Sequence, residues 1–308
     1  MDTRTVGASD LVVSVAGLGC NNFGMRTDEA RTAEIVGAAL DAGITLFDTA
    51  RMYGGGKSEE FLGAALRAER DQVVIATKFG APTGPDARNG SRATVMAEAE
   101  ASLTALGTDY IDLYQMHYAD PGTPIEETLG ALTELVEQGK VRYIGCSNFA
   151  GWQIADAHWI AATKDLTSFV SLQNEWSLLA RGIETEVLGA CERFGLGVLP
   201  YFPLASGVLT GKVRRGEEPP EGSRLNLPYF AAYLTDANHA KLDRLDEWCR
   251  GHDRTMHDVA LSYLASNPVT ASVIAGASSP EQVRANAAAT RTDLTAEARA
   301  EIVAAVDG

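Results

Sequence analysis

Eight apolar segments of strand length alternate with longer segments of helical period from one end of the chain to the other, at 15–19, 45–48, 73–78, 111–117, 141–147, 169–174, 197–203 and 272–276. Several are near-continuous apolar runs, as parallel strands covered on both faces require. Eight strands alternating with helices predict a (β/α)8 TIM barrel of the α/β class, with 1–308 as one domain and no room for a second. The rival, a doubly wound sheet, needs a phosphate-binding fingerprint after its first strand. Here GLGCNNFG begins as GxG and then carries Asn22 where the third glycine belongs.

The helical segments are punctuated by capping residues. Thr123, Pro124 and Glu126 supply a cap, a first-turn proline and a capping-box carboxylate, and the segment stops at Gly139; Ser279, Pro280 and Gln282 repeat the start signal after the last strand. The segment 27–40 stops at Gly43, and 91–106 stops at Gly107. Before the first barrel strand, residues 3–14 read as a β-hairpin around Gly7-Ala8-Ser9-Asp10, placed to plug the N-terminal mouth. A polar stretch rich in Pro and Gly, about 211–233, is longer than a connection needs and is a candidate substrate or cofactor loop.

Charge and cysteine usage narrow the function classes. The 308-residue chain holds 41 acidic against 26 basic residues, a formal charge of −15. That balance argues against nucleic acid or an acidic membrane as partner, since both are recognised by clustered Lys and Arg. Cys20, Cys146, Cys191 and Cys249 stand far apart with no CxxC pair, the pattern of reduced thiols. The start, MDTRTVGASDLVV, has neither a basic nor a long apolar region, and no apolar run approaches the ~20 residues of a membrane span. The expectation is a cytoplasmic protein that meets neither membrane nor nucleic acid, its oligomeric state left open.

Function is sought where the strands end. The stretch GITLFDTARMYGGGKSEEFLG, residues 43–63, reads as a strand, a polar Gly-rich loop and a helix start. Its GGGKS imitates a P-loop, but that motif needs a glycine at the position of Arg51. If the barrel is right, Asp48 and Tyr53, Lys78, His117, Ser147 with Asn148, and Gln173 all lie at strand C-terminal ends and converge on one site. No His, Cys or carboxylate cluster has metal-ligand spacing, so no metal is expected.

These motifs in this order resemble the aldo-keto reductase superfamily over nearly the whole chain. The stretch 43–63 is similar to its first signature and GKVRYIGCSNF, 139–149, to its second; ATKFG, DYIDLYQMHYAD, SLQNEWSLL, PYFPLASGVLTGK and IAGASSPEQVRAN match further segments. The resemblance implies an NADPH-dependent oxidoreductase, with NADH the alternative cofactor, that reduces a small aldehyde or ketone. Tyr53 would be the general acid, Lys78 the cation that lowers its pKa from ~10 toward working pH, Asp48 the partner of Lys78, and His117 the neutral group orienting the substrate oxygen. It assigns Ser147, Asn148 and Gln173 to the nicotinamide carboxamide, Tyr201 to stacking on the nicotinamide, and Leu204, Ser206 and Gly207 to the pyrophosphate segment. Gly276, Ser278, Gln282 and Asn286 would hold the adenosine phosphate at a helix N-terminus.

Two departures stand out. Phe202 replaces a small hydroxyl residue, and the adenosine segment lacks the Lys and Arg that some members set on the 2′-phosphate. Phe23, Met52, Tyr118, Tyr229 and Phe230 are the candidate substrate walls. The runner-up reading is an NADPH-binding regulatory or sensor module with negligible turnover.

Overall fold

A computed structural model describes residues 1–82, 89–219, 223–226 and 228–308, apart from the side chains at 228 and 229. A hairpin, β1 (Thr3–Thr5) and β2 (Val12–Ser14), precedes eight parallel strands: β3 (Ala16–Gly19), β4 (Leu46–Asp48), β5 (Val74–Phe79), β6 (Ile111–Met116), β7 (Val141–Ser147), β8 (Ser171–Gln173), β9 (Gly197–Val198) and β10 (Val273–Gly276). From β3 to β9 each strand pairs with the next in sequence, and β10 returns to pair with β3. Three bonds draw the last edges together: Val198 N to Val269 O (2.8 Å), Ala271 N to Val198 O (2.9 Å) and Ile274 N to Pro200 O (2.9 Å). The expected (β/α)8 barrel is therefore present, hairpin included.

The strands are shorter than the apolar runs suggest where proline intervenes. The run 197–203 yields only the two residues of β9, because Pro200 and Pro203 have no N–H to give to a ladder. Between the two prolines pairing persists as an isolated bridge between Glu175 and Tyr201.

Among the described residues the outer layer is α1 (Glu29–Asp41), α2 (Lys57–Leu66), α3 (Arg92–Leu106), α4 (Ile125–Glu137), α5 (Gly151–Lys164), α6 (Val187–Phe194), α7 (Pro228–Ala231), α8 (Asp236–Gly251), α9 (Met256–Ala265), α10 (Pro280–Ala289) and α11 (Ala296–Asp307). Most capping signals act where expected. Ser91 caps α3 and left-handed Gly107 ends it; Ser279 caps α10, with Pro280 in its first turn. The α4 cap differs. Its capping position is Pro124, which makes no side-chain cap, and Thr123 Oγ1 is buried without a partner. A proline there holds extended backbone (φ −55°, ψ 133°) and shifts the start one residue past the threonine.

Two apolar layers result. The larger lies between strands and helices. The smaller fills the barrel floor, where Val6, Leu11 and Val13 of the hairpin segment meet Leu46, Ala76, Leu113, Leu199, Ala271 and Ile274. Gly7 lets the hairpin sit this close: it holds φ +57°, and a Cβ there would lie 2.1 Å from Gly195 O.

One ionic cluster ties neighbouring strands together. Asp112 of β6 is buried, accepts from Ile75 N (3.0 Å), and pairs with Arg70 (2.7 Å) and Arg142 (3.0 Å). Both guanidiniums flank the Tyr110 ring, at 4.0 and 3.8 Å from its centroid. Asp112→Asn removes the charge at nearly constant shape and is expected to cost about 2 kcal/mol, because charge-assisted bonds to a buried carboxylate are lost. Urea unfolding of the two proteins measures it.

Candidate active site

The site is built on the C-terminal ends of β4 to β8. Register sets Gly19 beside Asp48, and Ser147 beside Gln173, so these side chains reach one level of the barrel. Beyond Asp48 the chain enters a short 3₁₀ turn, Tyr53–Gly56, in which Gly54, Gly55 and Gly56 all take positive φ (+59°, +65°, +94°). Only glycine adopts three such values in a row without strain. The turn folds the half-buried Tyr53 back over the barrel mouth, where its ring centroid stands 5.3 Å from Lys78 Nζ.

Lys78 and Asp48 form a buried ion pair. Nζ donates to both carboxylate oxygens (2.8 and 2.7 Å) and to Thr49 O (2.9 Å), with Lys78 1% and Asp48 3% exposed. Burial, the largest influence on the ammonium, pulls its pKa down, but Asp48 and Tyr53 outweigh it and the net direction is upward. The cation is therefore retained. Asp48 also accepts amide N–H bonds from Gln173 (2.8 Å) and, more weakly, Gln115 (3.3 Å).

The phenol behaves differently from the sequence expectation. Burial raises the Tyr53 pKa by more than the neighbouring ammonium lowers it, so the net shift is upward from 10.0. The phenol thus holds its proton at rest. Lys78 still lowers the cost of releasing it, because an ammonium stabilises an adjacent phenolate.

His117 packs edge-on to Tyr53 (centroids 6.0 Å) and stacks on Tyr118 (4.9 Å). Burial first and Lys78 second lower its pKa from 6.5 to about 3, so the imidazole is neutral, and its Nδ1 is buried without a partner. The linkage has a definite sign. An unfolded His117 takes up a proton near pH 6.5 and the folded one only near 3, so this contribution to stability is complete above 6.5 and is lost as pH falls toward 3. His117→Gln should therefore flatten the fall of the urea midpoint between pH 6.5 and 4.

Of the remaining sequence-predicted residues, Ser147, Asn148, Gln173 and Tyr201 connect to this centre by hydrogen bonds. Asn148, at φ +60°, donates through Nδ2 to His117 O (3.0 Å) and Ser147 Oγ (3.1 Å), and its Oδ1 accepts from the Tyr201 hydroxyl (2.8 Å). Ser147 Oγ donates to Gln173 O (2.7 Å). The Gln173 amide nitrogen donates to Asp48 (2.8 Å). Leu204 is half-buried against the core. Ser206 (φ +59°) and Gly207 (φ +104°) form a left-handed turn whose Ser206 Oγ is buried without a partner. At the end of β10, Gly276 is exposed. Gln282 Oε1 accepts from Ser278 N (2.8 Å) and Oγ (3.2 Å), while Asn286 donates to Gly276 O (3.4 Å) and lies 2.9 Å from His257 Nε2.

Of the wall candidates, Met52 and Tyr118 are exposed on the rim, and Phe230 meets Phe202 edge to face at 5.8 Å. The Tyr229 side chain lies outside the described residues. Phe23 is not a wall: it is fully buried in the main core, because the turn after β3 folds back under the Gly54 turn.

Two arginines escape a linear reading. Arg224, inside the polar excursion, donates to Asn21 Oδ1 (2.7 Å) and Asn22 Oδ1 (2.6 Å), and burial lowers its pKa. Arg31, at the start of α1, places Nε 3.4 Å from Ser278 O. The adenosine segment carries one basic residue of its own, Arg284, 4.0 Å from Glu281, and closure of the barrel brings Arg31 there from 247 positions away.

The model of the Aldo/keto reductase family matches residues 16–307. Relatives include the uncharacterized oxidoreductase YrpG of Bacillus subtilis (strain 168), 37% identical over 96% of this chain and 93% of its own. The probable voltage-gated potassium channel subunit beta of Arabidopsis thaliana is 34% identical (93% and 90%), and the probable aldo-keto reductase 1 of Glycine max 35% (98% and 88%). The chain belongs to the aldo/keto reductase family and is an NAD(P)H-dependent oxidoreductase.

Proposed function

We propose that this protein reduces small aldehydes or ketones to alcohols with NADPH, in the cytoplasm, with Tyr53 as the proton donor. The observation that carries the reading is the buried Asp48–Lys78 pair beneath a protonated Tyr53 and beside a neutral His117. The residues fit a dinucleotide. Ser206 Oγ is a buried atom without a partner in a left-handed turn, and Arg224 is a burial-shifted cation held by two neutral amides, with no carboxylate in ion-pair range among the described residues. A half-buried guanidinium without a counter-charge favours an anionic ligand. Arg31, which also pairs with Glu34 (2.5 Å), adds a second cation near Ser278, which supports NADPH over NADH. Ser147, Asn148 and Gln173 would hold the carboxamide, Tyr201 the nicotinamide face, Leu204, Ser206 and Gly207 the pyrophosphate, and Gly276, Ser278, Gln282 and Asn286 the adenosine end. Four buried free cysteines fit a reducing compartment, and no helix among the described residues is long and apolar enough to cross a membrane.

The chemistry the bound cofactor supplies is a hydride for the carbonyl carbon. Tyr53 gives its proton to the carbonyl oxygen as negative charge grows there, and Lys78 stabilises the phenolate that remains. Asp48 keeps Lys78 charged and aimed. His117, neutral throughout the working range, offers one N–H to the oxygen and adds no competing charge. Tyr118 and Met52 stand at the rim where a substrate would enter.

Initial rates of NADPH and NADH oxidation with 4-nitrobenzaldehyde, for the wild type beside Tyr53→Phe, test this. Oxidation faster with NADPH, and lost in the variant, is the expected result. The names of two relatives favour a second reading. Both the Arabidopsis thaliana protein and one of Oryza sativa subsp. japonica, 33% identical, are called probable voltage-gated potassium channel subunits beta. A wild type that binds NADPH in a fluorescence titration but turns over no carbonyl would point to such a regulatory module.

A further inference from the structure

Tyr53 rides on a turn whose own backbone packs against Phe23 and Gly24. Its three following residues are glycines and supply no side chains for packing. The neighbouring Arg51 spans the gap. Its backbone N–H donates to Lys78 O (3.2 Å), and its guanidinium crosses over the turn so closely that a Cβ on Gly56 would lie 2.5 Å from Nη1. Beyond the turn, Nη1 stands 3.4 Å from Oε2 of Glu59 in α2, a fully buried carboxylate. The other Glu59 oxygen accepts from Thr77 Oγ1 (2.7 Å), the residue before Lys78 in β5. Arg51, Glu59 and Thr77 thus form a chain of contacts that leaves the Tyr53 turn and returns to the strand bearing its cation.

We propose that Arg51 is a positioning residue for Tyr53: the Arg51–Glu59 clasp closes the glycine turn and fixes the phenol over Lys78. The proposal rests on the reductase reading for its kinetic consequence but not for its geometry. Among the described residues Arg51 is the cation paired with Glu59, while Glu98, whose carboxyl accepts from Gly80 N (3.0 Å), adds a further acid nearby. A bland alternative is that Arg51 only neutralises Glu59. The two roles separate by experiment.

For Arg51→Gln the expected result is a fall in kcat of about tenfold, as for a misplaced reacting group, with the substrate KM and NADPH dissociation within about twofold of wild type. Arg51→Lys, which keeps the charge and much of the reach, should recover most of the rate. Arg51→Gln/Glu59→Gln leaves no buried charge uncompensated, so it folds, and it should stay as slow as the single variant. A double variant with wild-type kcat would reduce Arg51 to a counter-ion and overturn the proposal, as would a single variant with unchanged kcat. A second measurement needs no turnover. In protein carrying 13Cζ-tyrosine, the Tyr53 resonance, assigned by its absence in Tyr53→Phe, should shift or broaden in Arg51→Gln while the other tyrosines hold still. An unmoved resonance overturns the clasp, whereas an inactive wild type with a moved resonance overturns only the reductase reading.

Discussion

Tyr53→Phe is expected to lower kcat with NADPH by about 10²–10⁴-fold, the range over which a positioned general acid contributes, while NADPH binds as tightly as before. The reasoning starts from burial. The phenol sits half-buried above a buried ammonium, and its pKa lies above its ordinary value, so it is protonated throughout the neutral range. Phenylalanine keeps the ring, and with it the edge-on contact to His117, but has no proton to give. Water could substitute only poorly, since the site offers no other acid of matched position: His117 is neutral, with a pKa near 3, and Lys78 is committed to three acceptors. The same upward shift predicts that the wild-type rate does not titrate through Tyr53 between pH 6 and 9. A pre-steady-state measurement of NADPH oxidation, which isolates the chemical step, checks both statements. A variant retaining wild-type rate would remove Tyr53 from the mechanism.

How far could a linear sequence carry this? The barrel was legible because its signal is redundant: eight apolar runs, glycine stops after helices, and serine caps at α3 and α10 each repeat one message. The level of the site was legible for the same reason, since parallel strands set their C-terminal residues side by side. What sequence could not supply is whatever depends on closure and on competing fields. Arg31 meets Ser278 only because β10 returns to β3. Arg224 reaches Asn21 and Asn22 from a stretch that reads as a candidate substrate or cofactor loop, with no residue in it singled out. Phe23 reads as a substrate wall until the turn after β3 folds back under the Gly54 turn and buries it. The Tyr53 shift is a contest between burial and a nearby cation, and its sign cannot be read from the presence of Lys78 alone. Gln115, buried within β6, lies inside the segment DYIDLYQMHYAD, yet nothing in that motif marks its contact with Asp48.

Lys78→Met should damage stability and activity together, and the double variant should separate the two. The ammonium is 1% exposed and makes three hydrogen bonds, so its removal leaves Asp48 as a buried charge with only amide donors for compensation. Breaking one side of such a pair costs about 3–5 kcal/mol, whereas removing both charges is far milder. Urea unfolding should accordingly find Lys78→Met much less stable than wild type, with Asp48→Asn/Lys78→Met recovering most of the difference. Methionine fills a volume like that of the lysine stem, so cavity formation adds little. Activity should not follow this recovery. Without an ammonium beneath the phenol, release of the Tyr53 proton must leave an unstabilised phenolate, and both variants should reduce carbonyls at a small fraction of the wild-type rate. If the repaired double variant regained turnover, the cation would be a structural filler for Asp48, and the chemistry assigned to the Tyr53–Lys78 contact would have to be carried by another group.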